Sequence, residues 1–565
     1  MGWEVLKGTK DQKRQYGITS YLESSTYEQI IAKSTLISSG SPAVYQLETK
    51  EKKFGTLTRK TVGKKNLNKT NRTILLVGET GTGKSTLING LVNNTMGVKF
   101  EDNIWFEIVE REERDQTVSQ TSDVIVYEIF GYEDETLPYS LTIIDTPGYG
   151  NTEGIEKDVI ISQRLFDLFR SVDGVHEINA VGLVLKGSDN RVGDQLKYVF
   201  DSVMSLFGKD MEKNIVALIT HSDGGSPKNA LKALEAANIK CAKDEKNQPV
   251  YFLFNNKQNE ERTEEDELPL VSSWKTTEAG IKRFTDLLKE SKPQKLVTTV
   301  EVMNTRVRLT ACIQNLQERI QLIELKQRVI QQTEQALKKH EEEMKKNEGF
   351  TVEVEEIYKE KEIIDGGMWG LFFYKGAVTC NVCEENCHDL GCTMAWSPDH
   401  CEVIKDGFCT SCTNKCPASN HVKERWKYVT KTRKDQKTKQ DMKKKYEENK
   451  SENEKKKSLM GDHQTEMEQL TTEKIKLLDE SYQHVVNLEQ IAMNVNSLST
   501  YVHLDFLIEK MKERRDTEKV EKLEEMRSRV DKKTRSAWKN MYCKITSAGK
   551  AFKDAVTGVQ HQTAE

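Results

Sequence analysis

Between residues 72 and 290 the chain alternates short apolar runs with longer amphipathic stretches. The runs are TILLVG (73–78), DVIVYEIF (123–130), SLTIIDTP (140–147), AVGLVLK (180–186), NIVALIT (214–220) and PVYFLF (249–254). They are rich in β-branched residues and bounded by turn residues, the marks of strands buried in a sheet. Stretches such as DVIISQRLFDLFRS and DQLKYVFDSVMSLFG lie between them with helical spacing. Strand–helix alternation predicts an α/β domain over 71–292, with a mostly parallel sheet covered on both faces.

The period changes after residue 298. Gly and Pro are absent from 298–347, and Leu309, Ile313, Leu316, Ile320, Ile323, Ile330 and Leu337 recur in steps of three, four and seven. That is one helical stripe and predicts a long stalk helix. A second stretch, 457–493, places Leu470, Leu478, Tyr482, Val485 and Ala492 on a similar stripe. The two are expected to pair antiparallel, with a dimeric coiled coil as the rival arrangement. Residues 348–379, which include FTVEVEEIY from Phe350, alternate like a strand and read as a connector. A Cys-rich segment occupies 380–421, and 422–530 is Lys-rich and then helical. The lysines of 422–457 read as a solvated helix face or linker. Residues 1–70 form a polar extension with one short strand near Tyr45. The tail, 531–565, is amphipathic: Trp538, Met541, Tyr542, Ile545, Phe552, Val556 and Val559 fall at helical spacing beside lysines. It is expected to pack back on the protein, with contact at a membrane interface as the alternative.

Composition narrows the classes. With 565 residues, 31% charged and only 36% hydrophobic, several folding units fit better than one large core. Lys and Arg number 85 against 89 Asp and Glu, a net charge of −4. A globally basic nucleic-acid binder is excluded, and nucleic acid is not an expected partner. No apolar run is long enough to span a membrane. The start, MGWEVLKGTKDQKRQ, has no apolar signal core, and Leu6 stands where myristoylation after Gly2 wants Ser or Thr. A cytoplasmic location is expected, where clustered cysteines bind metal rather than form disulfides.

Residues 78–85 read GETGTGKS, directly after a strand and before the helix STLINGLV. This spacing cradles phosphates: Gly78, Gly81 and Gly83 let backbone N–H groups turn inward, with Glu79, Thr80, Thr82 and Thr86 completing the wall. Lys84 supplies a cation to the β/γ phosphates and Ser85 a hydroxyl to Mg²⁺, while the helix N-terminus adds partial positive charge. Downstream, SLTIID ends in Asp145-Thr146-Pro147-Gly148. Asp145 belongs at a water-mediated Mg²⁺ contact, and Gly148 can donate its N–H to a γ-phosphate. Thr121 is the candidate Mg²⁺ and γ-phosphate sensor, with Thr117 as the alternative. The strand NIVALIT ends in Thr220-His221-Ser222-Asp223, where a carboxylate accepts two hydrogen bonds from guanine that adenine cannot offer. Asn255 and Asn256, after PVYFLF, are placed to touch the base edge.

Together these residues resemble the septin/immunity-associated class of P-loop GTPases, most similarly the GIMAP family. The resemblance rests on GETGTGKSTLING, SQTS, DTPG, NAVGLVLKGSDNR, THSD and FNN, and it spans 72–290. It implies a Rossmann-like G domain, binding of GTP and GDP with Mg²⁺, hydrolysis, and activity coupled to self-association. Two positions depart from the pattern. His221 replaces the usual Lys of the base motif. Tyr149 stands where small Ras-like GTPases carry a water-orienting Gln, which implies slow turnover or a catalytic group from a partner subunit.

Eight of the 11 cysteines fall within 380–416: Cys380, Cys383, Cys387, Cys392, Cys401, Cys409, Cys412 and Cys416. Cys380, Cys383, Cys387 and Cys392 step by three, four and five, and Cys409, Cys412, Cys416 and His421 repeat those steps. Two Cys-x₂-Cys hooks, each with two further ligands, predict two structural zinc sites. Cross-braced sharing is open, and Cys401, His388 and His400 are alternates. The whole reads as a GTP-hydrolysing switch or self-assembling protein with unnamed protein partners. The rivals are a nucleotide-binding scaffold with little turnover and a zinc-stabilised interaction module, or an ATPase.

Overall fold

The computed structural model describes residues 27–54, 57–65, 68–110, 123–130, 139–148, 155–188, 194–339, 351–364, 368–369, 373–374, 376–392, 397–438, 459–495 and 498–529. Thr121, Thr117, Tyr149 and the tail 531–565 lie outside the described residues. The chain divides into two units, one running through Val300 and one from Glu301.

The first unit is built on an eight-stranded sheet. Its strands are β1 (Lys50–Phe54), β2 (Leu57–Val62), β3 (Thr70–Val77), β4 (Ile125–Ile129), β5 (Tyr139–Asp145), β6 (Ala180–Lys186), β7 (Ile215–Thr220) and β8 (Tyr251–Leu253). The spatial order is β8-β7-β6-β3-β5-β4-β2-β1. From β8 to β5 every pairing is parallel, whereas β4 runs antiparallel to β5 and β1 to β2. All six apolar runs are therefore strands of one mixed sheet. The hairpin β1–β2, within the polar extension, is a departure from the reading of 1–70. Its outer strand, KEKKF, is exposed along most of its length, so its sequence carries no buried alternation to read. The short strand containing Tyr45, Ala43–Gln46, joins a separate three-stranded sheet with Thr35–Ser38 and Ile104–Glu107.

Helices cover the large sheet: α1 (Lys84–Thr95), α2 (Ile155–Arg170), α3 (Asp194–Met204), α4 (Lys228–Ala236) and α5 (Glu267–Glu290). Ile74 and Leu76 of β3 pack in one cluster with Leu87 and Ile88 of α1 and Phe284 of α5. Leu75 and Val77, which the pleat sends to the other face, are equally buried. Burial on both faces is why β3 reads as a continuous apolar run rather than an alternation.

A long helix, α6 (Val297–Lys339), leads into the second unit, which adds α7 (Leu459–Ile491), α8 (Leu498–Arg514) and α9 (Thr517–Ser528). Val302, Leu309, Ile313 and Leu316 of α6 share a core with Leu478, Val485 and Leu488 of α7, Leu504 and Leu507 of α8, and Leu523 of α9. Arg306 donates to the carbonyl of Asn494 at 2.7 Å while Arg319 pairs with Glu473 at 3.2 Å, so α6 and α7 run antiparallel. The part of the α6 stripe from Leu309 to Leu316 is thus covered by α7, α8 and α9, a core of four helices rather than two.

The strand-like connector and the lysine run are partners. A 13-residue strand, β9 (Thr351–Ile363), pairs antiparallel along its length with β13 (Trp426–Thr438). Residues 426–438 are therefore strand, not helix face or linker. The register sets Glu356 opposite Arg433 and Glu362 opposite Lys427, and the Arg433 and Glu356 side chains pair at 2.8 Å. Opposite charges across an antiparallel pair stabilise it, so β9 supplies acidic partners to the part of the lysine run in β13, while 439–457 lie outside the described residues. Between these strands lies a three-stranded sheet of β10 (Gly376–Cys380), β11 (Glu385–Cys392) and β12 (His421–Glu424), with β10 central.

Candidate functional site

The phosphate loop joins β3 to α1, at the end of the sheet's central parallel strand, where α/β folds place their ligands. Gly81 and Gly83 hold φ of 78° and 86°, left-handed conformations that side chains rarely adopt. Gly78 is required for space: a Cβ there would stand 2.4 Å from the Val184 carbonyl oxygen. The Thr82 hydroxyl donates to the Glu79 carbonyl at 2.9 Å. Lys84 is buried, and its ammonium donates to the carbonyls of Gly78 and Glu79 at 2.9 and 3.0 Å. Burial pushes its pKa down to about 8, partly opposed by the charges of Asp145 and Glu79. Ser85 and Thr86, in the first turn of α1, are half-buried.

Asp145 ends β5, fully buried. The next hydroxyl, Thr146, donates to the Leu76 carbonyl at 2.9 Å and fastens this turn to β3. Gly148 abuts the phosphate loop so closely that a Cβ on it would lie 2.6 Å from the Thr80 nitrogen. The two motifs, about sixty residues apart in sequence, are thus in van der Waals contact.

Thr220 is placed under the loop rather than beyond it. Its hydroxyl donates to the Thr82 carbonyl at 2.7 Å, tying the end of β7 to the phosphate cradle. His221 takes a positive φ of 52° and also lies against the loop, its Cε1 3.6 Å from where a Gly83 Cβ would be. Asp223 is exposed, with one carboxylate oxygen accepting the Gly225 N–H at 2.8 Å. The Ser222 N–H donates to the Phe254 carbonyl at 3.0 Å, which joins this loop to the one carrying Asn255 and Asn256. The Asn255 N–H donates to the Thr277 hydroxyl at 2.9 Å. Asn256 differs from the expectation of a base-edge contact. Its Oδ1 accepts from Thr277 at 3.4 Å and lies 3.3 Å from the Cβ position of Gly90, so the carboxamide faces α1 and α5. Gly90, with no side chain, leaves it that space.

The sequence reading missed Asn89 and Asn93. Both are buried on α1 and hold the strand that leads toward the switch segment. Asn89 Oδ1 accepts the N–H groups of Ile108 and Val109 at 3.0 and 3.2 Å. Asn93 Oδ1 accepts the Phe106 N–H at 2.9 Å while its Nδ2 donates to the Phe106 carbonyl at 2.6 Å. The available signal was two asparagines one helical turn apart within a helix whose following turns are mostly buried. Asn93→Ala strands a buried donor and acceptor of Phe106 and is expected to cost about 2–4 kcal/mol. A urea unfolding midpoint for the G domain transition equal to that of the unsubstituted chain would contradict this.

In the second unit the thiols gather in cross-braced fashion. Cys380, Cys383, Cys412 and Cys416 form one group, and Cys387, Cys409, Cys412 and His421 another, the ligand atoms of each lying within 4.8 Å of one another. Of the groupings that the spacing leaves open, this is the cross-braced one. The reason is the sheet: β10 and β12 pair Cys380 opposite His421, which brings the second hook onto the first. Cys387 is the extra residue of a bulge, between Asn386 opposite Thr379 and His388 opposite Val378. Bulges re-aim side chains. The Cys392 side chain lies outside the described residues, and His400 is exposed beside Ser397. Among the described residues no cysteine is in a disulfide. Cys383 and Cys416 Sγ atoms are 3.8 Å apart, the edge of a tetrahedron about zinc at roughly 2.3 Å per bond. Backbone N–H groups of Cys383, Cys412 and Cys416 point at the sulfurs of Cys380, Cys409 and Cys412 at 3.2–3.4 Å, as thiolates require. The His421 Nδ1 is held by the Pro417 carbonyl at 3.0 Å, while its buried Nε2 has no hydrogen-bond partner among the described residues. That arrangement fits a metal ligand whose other nitrogen is fixed by the backbone. The group docks on α6, where Asn315 donates to the Ser411 carbonyl at 2.8 Å and Arg319 pairs with Glu385.

Among the described residues no helix is long and apolar enough to cross a membrane. The septin family model matches residues 68–162. Septin-5 of Homo sapiens is 30% identical over 176 residues, which is 29% of this chain and 43% of that protein. Septin-5 of Macaca fascicularis gives the same identity, covering 42% of its length. The chain thus spans less than half the length of these curated relatives. A crystal structure of Toc33 from Arabidopsis thaliana in complex with GDP and Mg²⁺ is 18% identical with a TM-score of 0.27, covering 40% of this chain and 88% of that one. The septin family model thus falls on the part of the chain that carries the phosphate loop on β3 and the Asp145–Gly148 turn seated against it, and this part is similar to the P-loop domain of septins.

Proposed function

We propose that the chain binds GTP with Mg²⁺ and hydrolyses it to GDP and phosphate, serving as a nucleotide-dependent switch that self-associates. The observation that supports this most is the convergence of Lys84, Asp145, Gly148 and the Thr220–Asp223 loop around one turn of backbone at the end of β3. Inward N–H groups of 78–85 and the Lys84 ammonium hold the phosphates, and this preorganised positive field is what stabilises charge spreading on the γ-phosphoryl oxygens. Ser85 and Asp145 have the donor chemistry for Mg²⁺, and Thr121 is proposed as the third group. Magnesium supplies charge neutralisation between β- and γ-phosphates. Water attacks the γ-phosphorus, the bond to the β–γ bridging oxygen breaks, and GDP leaves with that electron pair. Tyr149 in place of a Gln supports a low rate for the isolated chain and a second subunit that completes the site. Within its class we place the domain nearer the GIMAP family, on residues 179–191.

Guanine selection is assigned to Asp223. Asp223→Asn removes a charge-assisted pair of hydrogen bonds worth roughly 2–4 kcal/mol and is expected to erase the preference for GTP over ATP. The test is competition of GTP and ATP for the same site, followed by phosphate release per chain across protein concentration. A specific rate that stays level on dilution would remove self-association from the mechanism. Preference for ATP would replace the guanine assignment.

We further propose that the Cys-rich region of the second unit is a structural module holding two zinc ions. Cys412 belongs to both ligand groups and would bridge them. Closed sets of thiolates and imidazole leave no open position for catalysis, so the role is to fold the module.

A further inference from the structure

A third convergence of donor atoms lies outside both thiolate groups. His388 on β11, Cys401 after the short turn Pro398–His400, and the neighbouring Glu402 are all buried. Their ligand atoms form a triangle. His388 Nδ1 is 3.3 Å from Cys401 Sγ and 3.1 Å from Glu402 Oε2, and Sγ is 3.5 Å from Oε2. A catalytic relay would set the thiol and the carboxylate on different ring nitrogens, with the imidazole between them. Here both meet the same nitrogen and also each other, so the ring does not stand between them.

We propose that these three residues bind a third zinc ion, an inference that rests on the zinc reading of the neighbouring thiolates. Zinc bonds of about 2.3 Å to sulfur and 2.0–2.2 Å to nitrogen and oxygen, arranged tetrahedrally, give edges of roughly 3.3–3.6 Å. The observed triangle falls close to that range on every side. One thiolate and one carboxylate would balance the dication in a site that water reaches poorly; without the ion the Cys401 thiol donates to the Glu402 carboxylate at 3.5 Å, a proton that the metal would displace. The segment is already held from the other side, since the Arg308 Nε donates to the Glu402 carbonyl at 3.0 Å and the Thr410 N–H to that of Val403 at 2.7 Å. The ion would therefore cross-link β11 to the 401–403 segment at a point where neither thiolate group reaches. Sequence spacing concealed it because Glu402 belongs to no Cys/His hook and is recruited only by folding.

The test is the zinc content of the full-length chain, purified under reducing conditions without chelator. Three ions per chain are expected, and two in His388→Ala and Cys401→Ser. Glu402→Gln keeps the side chain's size but loses its charge. It is expected to release one ion to a mild chelator that leaves the unsubstituted chain at three, and this variant guards against loss of folding in the other two. An unsubstituted chain with two ions that the substitutions leave in place overturns the third site and spares the thiolate pair. A chain with no zinc overturns both readings. Three ions retained in all three variants would also overturn the assignment, moving the third ion elsewhere.

Discussion

A Cys412→Ser chain is expected to lose two zinc ions relative to the unsubstituted protein, whereas Cys416→Ser loses one. Cys412 belongs to both ligand groups and Cys416 to a single group. The consequence for stability should be large. A closed structural zinc site contributes apparent free energies on the order of 10 kcal/mol or more near neutral pH. The region it organises is a small sheet with short turns, and Val378, Val403 and Ala311 are its principal apolar contacts beside the cysteines themselves. Chelation or Cys412→Ser is therefore expected to unfold residues 376–424 while α6–α9 keep their own apolar core. Hydrogen exchange of the full chain before and after chelation would show fast exchange confined to that region. Equal zinc contents in the two variants would remove Cys412 as a bridge, and unchanged protection after complete zinc removal would deny the ions a structural role.

Lys84→Ala is expected to weaken GTP binding roughly a hundredfold or more, from the loss of charge-assisted hydrogen bonds of about 1.5–3 kcal/mol each. The same residue predicts a pH dependence. Burial holds the free-state pKa at about 8, and bound phosphates raise it. Binding therefore requires no proton uptake well below pH 8, but must draw a proton onto Lys84 above it. Affinity should be level from pH 6.5 to 7.5 and fall toward tenfold per unit between pH 8 and 9. Titration calorimetry in buffers of differing ionisation enthalpy would detect the proton uptake. A binding constant that is independent of pH to 9 would mean that Lys84 stays charged without nucleotide. Lys84→Ala binding GTP as tightly as the unsubstituted chain would overturn the phosphate-site assignment itself.

The strands, the phosphate loop and the helical stripe of α6 were legible along the chain because each depends on neighbours in sequence. Burial on both faces makes TILLV apolar throughout, Gly81 and Gly83 answer to local backbone angles, and the stripe from Leu309 to Leu316 follows the helical repeat. The edge strand KEKKF was not legible, since a solvated edge carries no hydrophobic pattern. The direction of the Asn256 side chain was not legible for a related reason: it is decided by Gly90 and Thr277, on two other elements.

The sequence alone determined which residue types are present for phosphate, guanine and zinc chemistry, and local turns suffice to carry them. Their partition was decided only by tertiary structure. The same Lys-rich run reads as a solvated face until acidic β9 lies beside it in register. The clustered cysteines admit several groupings until the pairing of β10 with β12 and the bulge at Cys387 bring six of them and His421 into two sets. Glu402 enters a site with His388 and Cys401 only because strand and turn converge there. Side-chain chemistry is a property of each residue, but coordination depends on distances of a few ångströms between segments far apart in sequence, and those distances are set by packing and backbone hydrogen bonds.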